Sequence, residues 1–314
     1  MKKRLLSGVK ETGRSHLGNY FGAMKQFVDM LNSNEYDCSI FVADYHALNF
    51  IQNAEEMRTL TTDLVKDYIA IGLDPERVTL FKQSDVSEHT ELCWIFDTIT
   101  TMPYLMRAHA YKDAEAKNKE IVVGTFNYPM LMAADILIYD PDVVPVGQDQ
   151  KQHVEYARDT AEKFNRIFGD TFKLPEPVIK SDVAVVPGTD GRKMSKSYGN
   201  TIPLFATRDE IVKSVMSIVT DSSGDRPENV YAIHKLFKTE SELAPLYEAN
   251  TGKYKALKDA LIEDVESLIA PMREKRASIS DDDVKTVLMD GAAKAKAIAS
   301  KKMEDVRKKI GVAL

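Results

Sequence analysis

Apolar positions along the first half of the chain recur with two alternating rhythms. Arg4-Leu5-Leu6 reads as a short buried strand entering a turn at Ser7-Gly8. Tyr20, Phe21, Met24, Phe27, Val28 and Leu31 then repeat at three- and four-residue steps, the spacing of an amphipathic helix. Cys38 to Ala43 is a continuous apolar run, as in a parallel strand buried on both faces, and it ends at Asp44-Tyr45-His46. Met57, Leu60, Leu64, Tyr68 and Ile71 predict a helix over residues 54–71, stopped by Leu73-Asp74-Pro75, and Val78-Thr79-Leu80-Phe81 follows as a third strand.

From residue 84 to 127 this rhythm breaks. Leu92, Trp94, Ile95, Phe96, Met102, Tyr104, Leu105 and Met106 load helix-like segments with apolar surface, while Lys112 to Glu120 is charged and has no apolar anchor. Tyr128 to Leu137 begins another helix, with Pro129 suited to its first turn. Val143-Val144-Pro145-Val146 is the fourth core strand, followed by Gly147 and a helix from Gln150 to Phe168 that Asp149 can cap. Pro175, Pro177, Pro187 and Gly188 mark irregular chain, with a last short strand at Val183 to Val186. Beyond Pro203 the strand signals vanish. Thr207-Arg208-Asp209-Glu210 and Thr239-Glu240-Ser241-Glu242 fit capping boxes, Leu257, Leu261, Val265, Leu268 and Ile269 share a helical face, and a lysine-rich helix runs from about 291 to 310.

The pattern predicts an α/β fold: a doubly wound parallel, Rossmann-like sheet with a helical insertion, then an all-helical C-terminal domain. The expected division is 1–202 for the sheet domain, with the insertion at 84–127, and 203–314 for the helical one. A length of 314 residues suits one large and one smaller unit.

Composition narrows this only at the margins. With 44% hydrophobic and 29% charged residues the chain is an ordinary globular protein. A net charge of −6 means that a nucleic-acid partner would have to meet a local basic surface. Cys38 and Cys93 lack metal-ligand spacing and read as buried free thiols of a reducing compartment; no metal site is expected from the protein itself. No apolar run spans a membrane, and Met1-Lys2-Lys3-Arg4 leads into too short an apolar stretch for a signal peptide, so the chain reads as cytoplasmic.

Candidate chemistry falls in three stretches. Thr12 to Gly22 puts glycines and His16 where the first strand hands over to the first helix, the place where open α/β sheets bind ligands. Gly18 and Gly22 allow close approach, and free amides at a helix start attract phosphate; an ordinary glycine turn is the plainer alternative. Lys193-Met194-Ser195-Lys196-Ser197 suits a loop that closes over a triphosphate with compact charges, although lysine-serine loops are common. Tyr128, Met132 and Asp135 share one helix face. An acid flanked by Ala133, Ala134, Ile136 and Leu137 needs a donor if it is buried. Backbone amides are one source. The sharper reading is a pocket floor whose carboxylate accepts from an apolar ligand such as an indole, whose N–H only donates.

The pair His16-Leu17-Gly18-Asn19 and Lys193-Met194-Ser195-Lys196-Ser197, in that order and spacing, resembles the two signatures of the class I aminoacyl-tRNA synthetases. Tyr128-Pro129, Met132-Ala133-Ala134-Asp135-Ile136-Leu137, Val144 to Gln150, His153 and Ser7-Gly8 with Thr12-Gly13 make it similar to the tryptophan-specific branch of that class over nearly the whole chain. The resemblance implies activation of L-tryptophan by ATP with Mg²⁺, then transfer to tRNA(Trp). By it Asp135 receives the indole N–H, Met132, Val144, Val146 and Leu6 line the ring, and Tyr128, Gln150 and His46 hold the ammonium and carboxylate end. His16, Gly18 and Asn19 would meet phosphates and ribose, and Lys193 and Lys196 the leaving pyrophosphate. Lys10, Glu11, Thr12, Gly147, Gln148, Asp149, Val186, Met194, Ser195 and Ser197 complete the implied ATP site.

Lys112, Lys117 or Lys119 would approach the triphosphate, the insertion would form a homodimer interface, and the helical domain would read the anticodon. Relatives often carry Gln-Pro where this chain has Lys10-Glu11. Three other readings stand beside this one. The tyrosine-specific branch shares both signatures, but a phenol donates and accepts and asks for more polar partners. A small-molecule adenylyltransferase would leave Lys193 to Ser197 unexplained. A non-catalytic tryptophan- or RNA-binding paralogue would not need intact His16, Asn19, Lys193 and Lys196.

Overall fold

A computed structural model describes residues 2–10, 13–116, 120–147, 150–178, 185–220 and 226–313. Five parallel strands form one sheet: β1 (Lys3–Val9), β2 (Tyr36–Val42), β3 (Val78–Lys82), β4 (Val143–Pro145) and β5 (Glu176–Val178). Their order is β3-β2-β1-β4-β5. The chain starts in the middle, winds outward through β2 and β3, and returns on the other side of β1. The strand order therefore reverses between β1 and β4, where a doubly wound sheet opens a crevice beyond its carboxyl ends. Leu5 pairs with Val143 there, and Ser7 Oγ donates to the Pro145 carbonyl at 3.2 Å.

The helices of the first half are α1 (Leu17–Asn19), α2 (Lys25–Asn32), α3 (Asp44–Ala47) and α4 (Ala54–Ala70). The first predicted helix is thus divided, and Tyr20–Met24 between α1 and α2 is a π-helical turn, a feature frequent at functional sites. Asn53 caps α4 by accepting from the amides of Glu55 and Glu56, at 2.9 and 3.0 Å. The insertion holds α5 (Glu88–Ile99), α6 (Met102–Leu105) and α7 (His109–Ala116), followed by α8 (Val123–Leu137) and α9 (Lys151–Phe168).

Other local expectations change. Ser7 and Gly8 do not turn: β1 stays in register with β2 as far as Val9 opposite Val42. Pro129 lies inside α8, because the helix begins five residues before Tyr128. Glu176–Val178 is a strand despite Pro177. It is an edge strand whose neighbours do the bonding, with the Glu176 amide donating to Asp142 and the Val178 carbonyl accepting from Val146, so the missing proline N–H costs no ladder bond. Of the last predicted strand, Val183 and Ala184 lie outside the described residues, and Val185 and Val186 are not in a strand.

The remainder is helical: α10 (Arg208–Met216), α11 (Glu228–His234), α12 (Glu240–Ala249), α13 (Tyr254–Ser278) and α14 (Asp281–Lys309). Both predicted capping boxes form, at Thr207 with Glu210 and Thr239 with Glu242. The last helix starts ten residues earlier than its lysines suggest, at a third box, Ser280 with Asp283. These helices pack back onto the sheet layer. Arg276 of α13 donates to Asp67 (2.5 Å) and Asp63 (2.6 Å) of α4. Along α14, Ala295, Ala299, Met303 and Val306 enter the same apolar cluster as Phe41, Phe81 and Phe96, and Arg307 pairs with Glu91 of α5. Gly291 lies against β3: a Cβ there would stand 1.8 Å from the Leu80 carbonyl oxygen. Cys38 and Cys93 are buried and free.

Candidate active site

A cavity of about 560 Å³ opens at the reversal point between β1 and β4, within the size range of small-molecule sites. Its walls come from elements far apart in sequence: Leu6 to Val9 from β1 and Lys10 just after it, Ser15 and Asn19 from the first signature, His46 after β2, Tyr128, Met132 and Asp135 from α8, and Val144 to Gly147 with Gln150 and His153. The sheet supplies the apolar part. Polar groups reach in from helix faces and strand ends.

Asp135 is fully buried in this wall, 0% exposed. Its Oδ1 accepts from Gln83 Nε2 at 2.7 Å and meets His89 Nδ1 at 2.6 Å, while Oδ2 meets His46 Nε2 at 2.9 Å. Burial pushes the carboxyl up. The hydrogen bonds from His46 and His89 outweigh it and hold the group down at about 2. Asp135 is therefore an ionised acceptor satisfied by side chains, not by backbone amides. A carboxylate has about four acceptor directions; three are taken, and the open one belongs to Oδ2. Behind it His89 Nε2 lies 2.7 Å from the Tyr139 hydroxyl. Gln83, His89 and Tyr139 were not among the residues the sequence singled out.

A second polar group lines the same cavity. Tyr128 Oη is bonded to His153 Nε2, and His153 Nδ1 meets Gln150 Oε1 at 2.7 Å. The residues predicted to hold an amino acid, Leu6, His46, Tyr128, Met132, Asp135, Val144, Val146 and Gln150, thus all line one cavity. His46 turns its Nε2 toward Asp135, and its ring meets Tyr128 edge-on at 6.1 Å.

The nucleotide candidates lie around the first signature. Lys10, Asn19 and Gly147 line the cavity, with Lys10 Nζ 4.3 Å above the Phe50 ring. Asn19 folds back on the helix start, its Oδ1 accepting from the His16 amide at 3.1 Å. Gly18 binds the two signatures together: its N–H points at Met194 Sδ, 3.2 Å away. A Cβ on Gly18 would meet His16 Nδ1 at 2.8 Å and Met194 Cβ at 3.2 Å, so only glycine fits. His16 Nδ1 is buried with no hydrogen-bond partner among the described residues. Burial first, then the charge of Lys196, lowers the His16 pKa to about 4.

The second signature forms a compact loop. Met194 N donates to the buried Val186 carbonyl at 2.8 Å, Asn200 receives the Ser195 amide at 2.8 Å, and the Ser195 and Ser197 hydroxyls lie 2.9 Å apart. Lys193 and Lys196 are exposed. Glu11, Thr12, Gln148, Asp149, Lys117 and Lys119 lie outside the described residues. The flanks of the first signature are tied to the C-terminal helices. Arg14 forms a two-pronged pair with Glu210, and Ser15 Oγ donates to Asp67 Oδ2 at 2.6 Å, the carboxylate that Arg276 also holds.

Comparison with known proteins gives this arrangement a context. A family described as tRNA synthetases class I (W and Y) matches residues 1–297. A Fusobacterium nucleatum protein named tryptophan–tRNA ligase is 48% identical over 99% of this chain and 98% of its own length. The crystal structure of Campylobacter jejuni tryptophanyl-tRNA synthetase complexed with ADP and tryptophan superposes with a TM-score of 0.91 at 42% identity, covering 98% of this chain and 99% of that one. For the Mycoplasma pneumoniae tryptophanyl-tRNA synthetase the TM-score is 0.83 at 32% identity, with 98% of each chain covered.

Proposed function

The chain belongs to the class I tRNA synthetases for tryptophan and tyrosine, and from that premise we propose that it is a tryptophan–tRNA ligase, activating L-tryptophan with ATP and transferring it to tRNA(Trp). The observation that carries the choice of amino acid is Asp135, a buried carboxylate with one open acceptor direction in an apolar cavity. An indole offers one donor and no acceptor; a phenol would leave its acceptor lone pairs facing apolar walls. The relatives named tryptophan–tRNA ligase weigh the same way against the tyrosine branch.

Asp135 takes the indole N–H, Leu6, Met132, Val144 and Val146 enclose the ring, and Tyr128, Gln150 and His46 meet the ammonium and carboxylate. Gly18, His16 and Asn19 meet phosphate and ribose, aided by Lys10, Gly147, Val186 and the Met194-Ser195 backbone, and on the undescribed segments by Glu11, Thr12, Gln148 and Asp149. The tryptophan carboxylate oxygen attacks the α-phosphorus in line. A carboxyl–phosphate bond forms, the bond to the β-phosphate oxygen breaks, and its electron pair leaves with pyrophosphate. Lys193 and Lys196, with Ser197 beside them, offset the charge that builds there. A terminal ribose hydroxyl of tRNA then attacks the acyl carbon and AMP departs. No side-chain nucleophile takes part.

Mg²⁺ is proposed to arrive with the triphosphate, held by its oxygens and water. Among the described residues no group of three His, Cys, Asp or Glu could hold a metal ion. Residues 203–314 are proposed as the anticodon-reading unit beside a catalytic unit at 1–202, supported by exposed lysines along α14 such as Lys294, Lys301 and Lys308. The insertion is proposed as the homodimer interface, supported by exposed Trp94, Met102, Met106 and Val123. The reaction belongs to the cytoplasm, where tRNA is charged; no described helix is long and apolar enough to cross a membrane.

Amino-acid-dependent exchange of pyrophosphate into ATP tests the reading, with tryptophan, tyrosine and phenylalanine side by side. Exchange with tryptophan alone is expected. Exchange with tyrosine would overturn the pocket argument, and none with any of them would leave a binding protein.

A further inference from the structure

The groups behind Asp135 do more than satisfy a buried charge, because each is oriented by a partner of its own. Gln83 is fully buried, and its Oε1 accepts from the Tyr45 amide at 3.2 Å, which leaves Nε2 to face Asp135 Oδ1. His89 is also fully buried, between Phe41 and Phe81 with ring centroids 6.0 and 6.3 Å away. Ionised Asp135 can only accept, so the His89 Nδ1 that meets it carries the proton, and Nε2 of the neutral ring is left to accept from the Tyr139 hydroxyl.

We propose that Gln83 and His89, the latter oriented by Tyr139, are positioning residues that saturate Oδ1 and fix the carboxylate plane, so that Asp135 offers a ligand one acceptor on Oδ2 and selects for a ring N–H donor. This rests on the reading of Asp135 as the indole acceptor. Without them the carboxylate could turn in its plane, and water could take the vacated positions. The pocket would then accept an isosteric ring lacking the N–H almost as well as one that has it.

The test compares tryptophan with benzothienylalanine, in which sulfur replaces the ring N–H, in pyrophosphate exchange by the full chain, with ATP KM read in parallel. Wild type should prefer tryptophan in kcat/KM by about a hundredfold, the scale of one hydrogen bond to a charged group. His89→Leu should cut that preference to roughly tenfold with ATP KM little changed. His89→Asn, whose amide can stand at the Nδ1 position, should restore most of it. Tyr139→Phe keeps the imidazole and should lower the preference by about threefold, the scale of one neutral hydrogen bond; it decides the matter if His89→Leu does not fold. Equal losses toward both amino acids, with the ratio intact, would overturn the proposal and make His89 a packing residue. A wild-type ratio near one would remove Asp135 as the N–H acceptor and this proposal with it, an outcome recognisable before any variant is made.

Discussion

The two ends of the cleft are built on opposite terms. Around Asp135, three side chains hold one carboxylate, and the histidine among them that faces away from the cavity is itself held by a tyrosine. Around His16, a buried ring nitrogen has no hydrogen-bond partner among the described residues and the lysines of the second signature stand at the surface. On the function proposed above, the first end faces a ligand of fixed shape and one donor, so rigidity there raises selectivity. The second, on the same proposal, faces a triphosphate that must bind, change charge and leave. Positive charge carried on exposed side chains there can meet that anion as charge shifts onto the leaving group.

The largest expected effect strikes the wired end. Asp135→Asn removes the charge that three donors converge on, and should lower kcat/KM for tryptophan by roughly a thousandfold, about 4 kcal/mol. ATP KM should move by less than about threefold; an equal change in both constants would mean that the two ends are not separable.

The next strikes the tie between the open end and the C-terminal helices. Asp67→Asn leaves the Arg276 guanidinium with Asp63 as its remaining carboxylate and should cost about 2 kcal/mol of stability in denaturant unfolding. In the folded fraction it should raise ATP KM and spare tryptophan KM, because Ser15 is freed beside His16. Gly18→Ala should weaken ATP use by roughly tenfold to a hundredfold, about 1.4–2.8 kcal/mol, with tryptophan binding intact by equilibrium dialysis. Unchanged ATP KM would show that His16 and Met194 yield freely.

The last effect is absent at neutral pH and emerges only on acidification. His16 binds its proton less readily when folded, near pH 4, than the ordinary pKa of 6.5 allows. Between those values the unfolded chain holds more protons, so stability falls as pH drops from 6.5 to 4. His16→Gln should flatten that segment of the stability curve, and a curve of unchanged slope would place the proton elsewhere.

Legibility in the sequence follows the range of the forces involved. The winding of the sheet, α4 and both capping boxes rest on periodicity and neighbours three residues apart, and could be read directly. The cavity wall of Met132, Asp135, Val144 and Val146 is reached through the family resemblance, which these residues carry because they sit close together along the chain. Gln83 and His89 could be reached neither way: each looks like an ordinary polar residue near a helix start, and its meaning comes only from a carboxylate some fifty residues away. One signal was available. Once Asp135 is read as buried, it demands donors, and a histidine set among Val86, Leu92 and Phe96 is a candidate for one. Pro177 hid β5 because its exclusion from strands does not apply at an edge where the proline nitrogen is not asked to donate.

The contact between Gly291 and the Leu80 carbonyl also bears on how the protein is made. The strand that ends the sheet leaves the ribosome long before the helix that lies against it. For most of synthesis β3 is an open edge beside a hydrophobic sheet, ready to pair with a strand of another nascent chain. Any residue larger than glycine at 291 would hold the helix off and prolong that interval. Its first sign would be a lower soluble yield, especially at high expression rates, from an enzyme whose surviving molecules still charge tRNA.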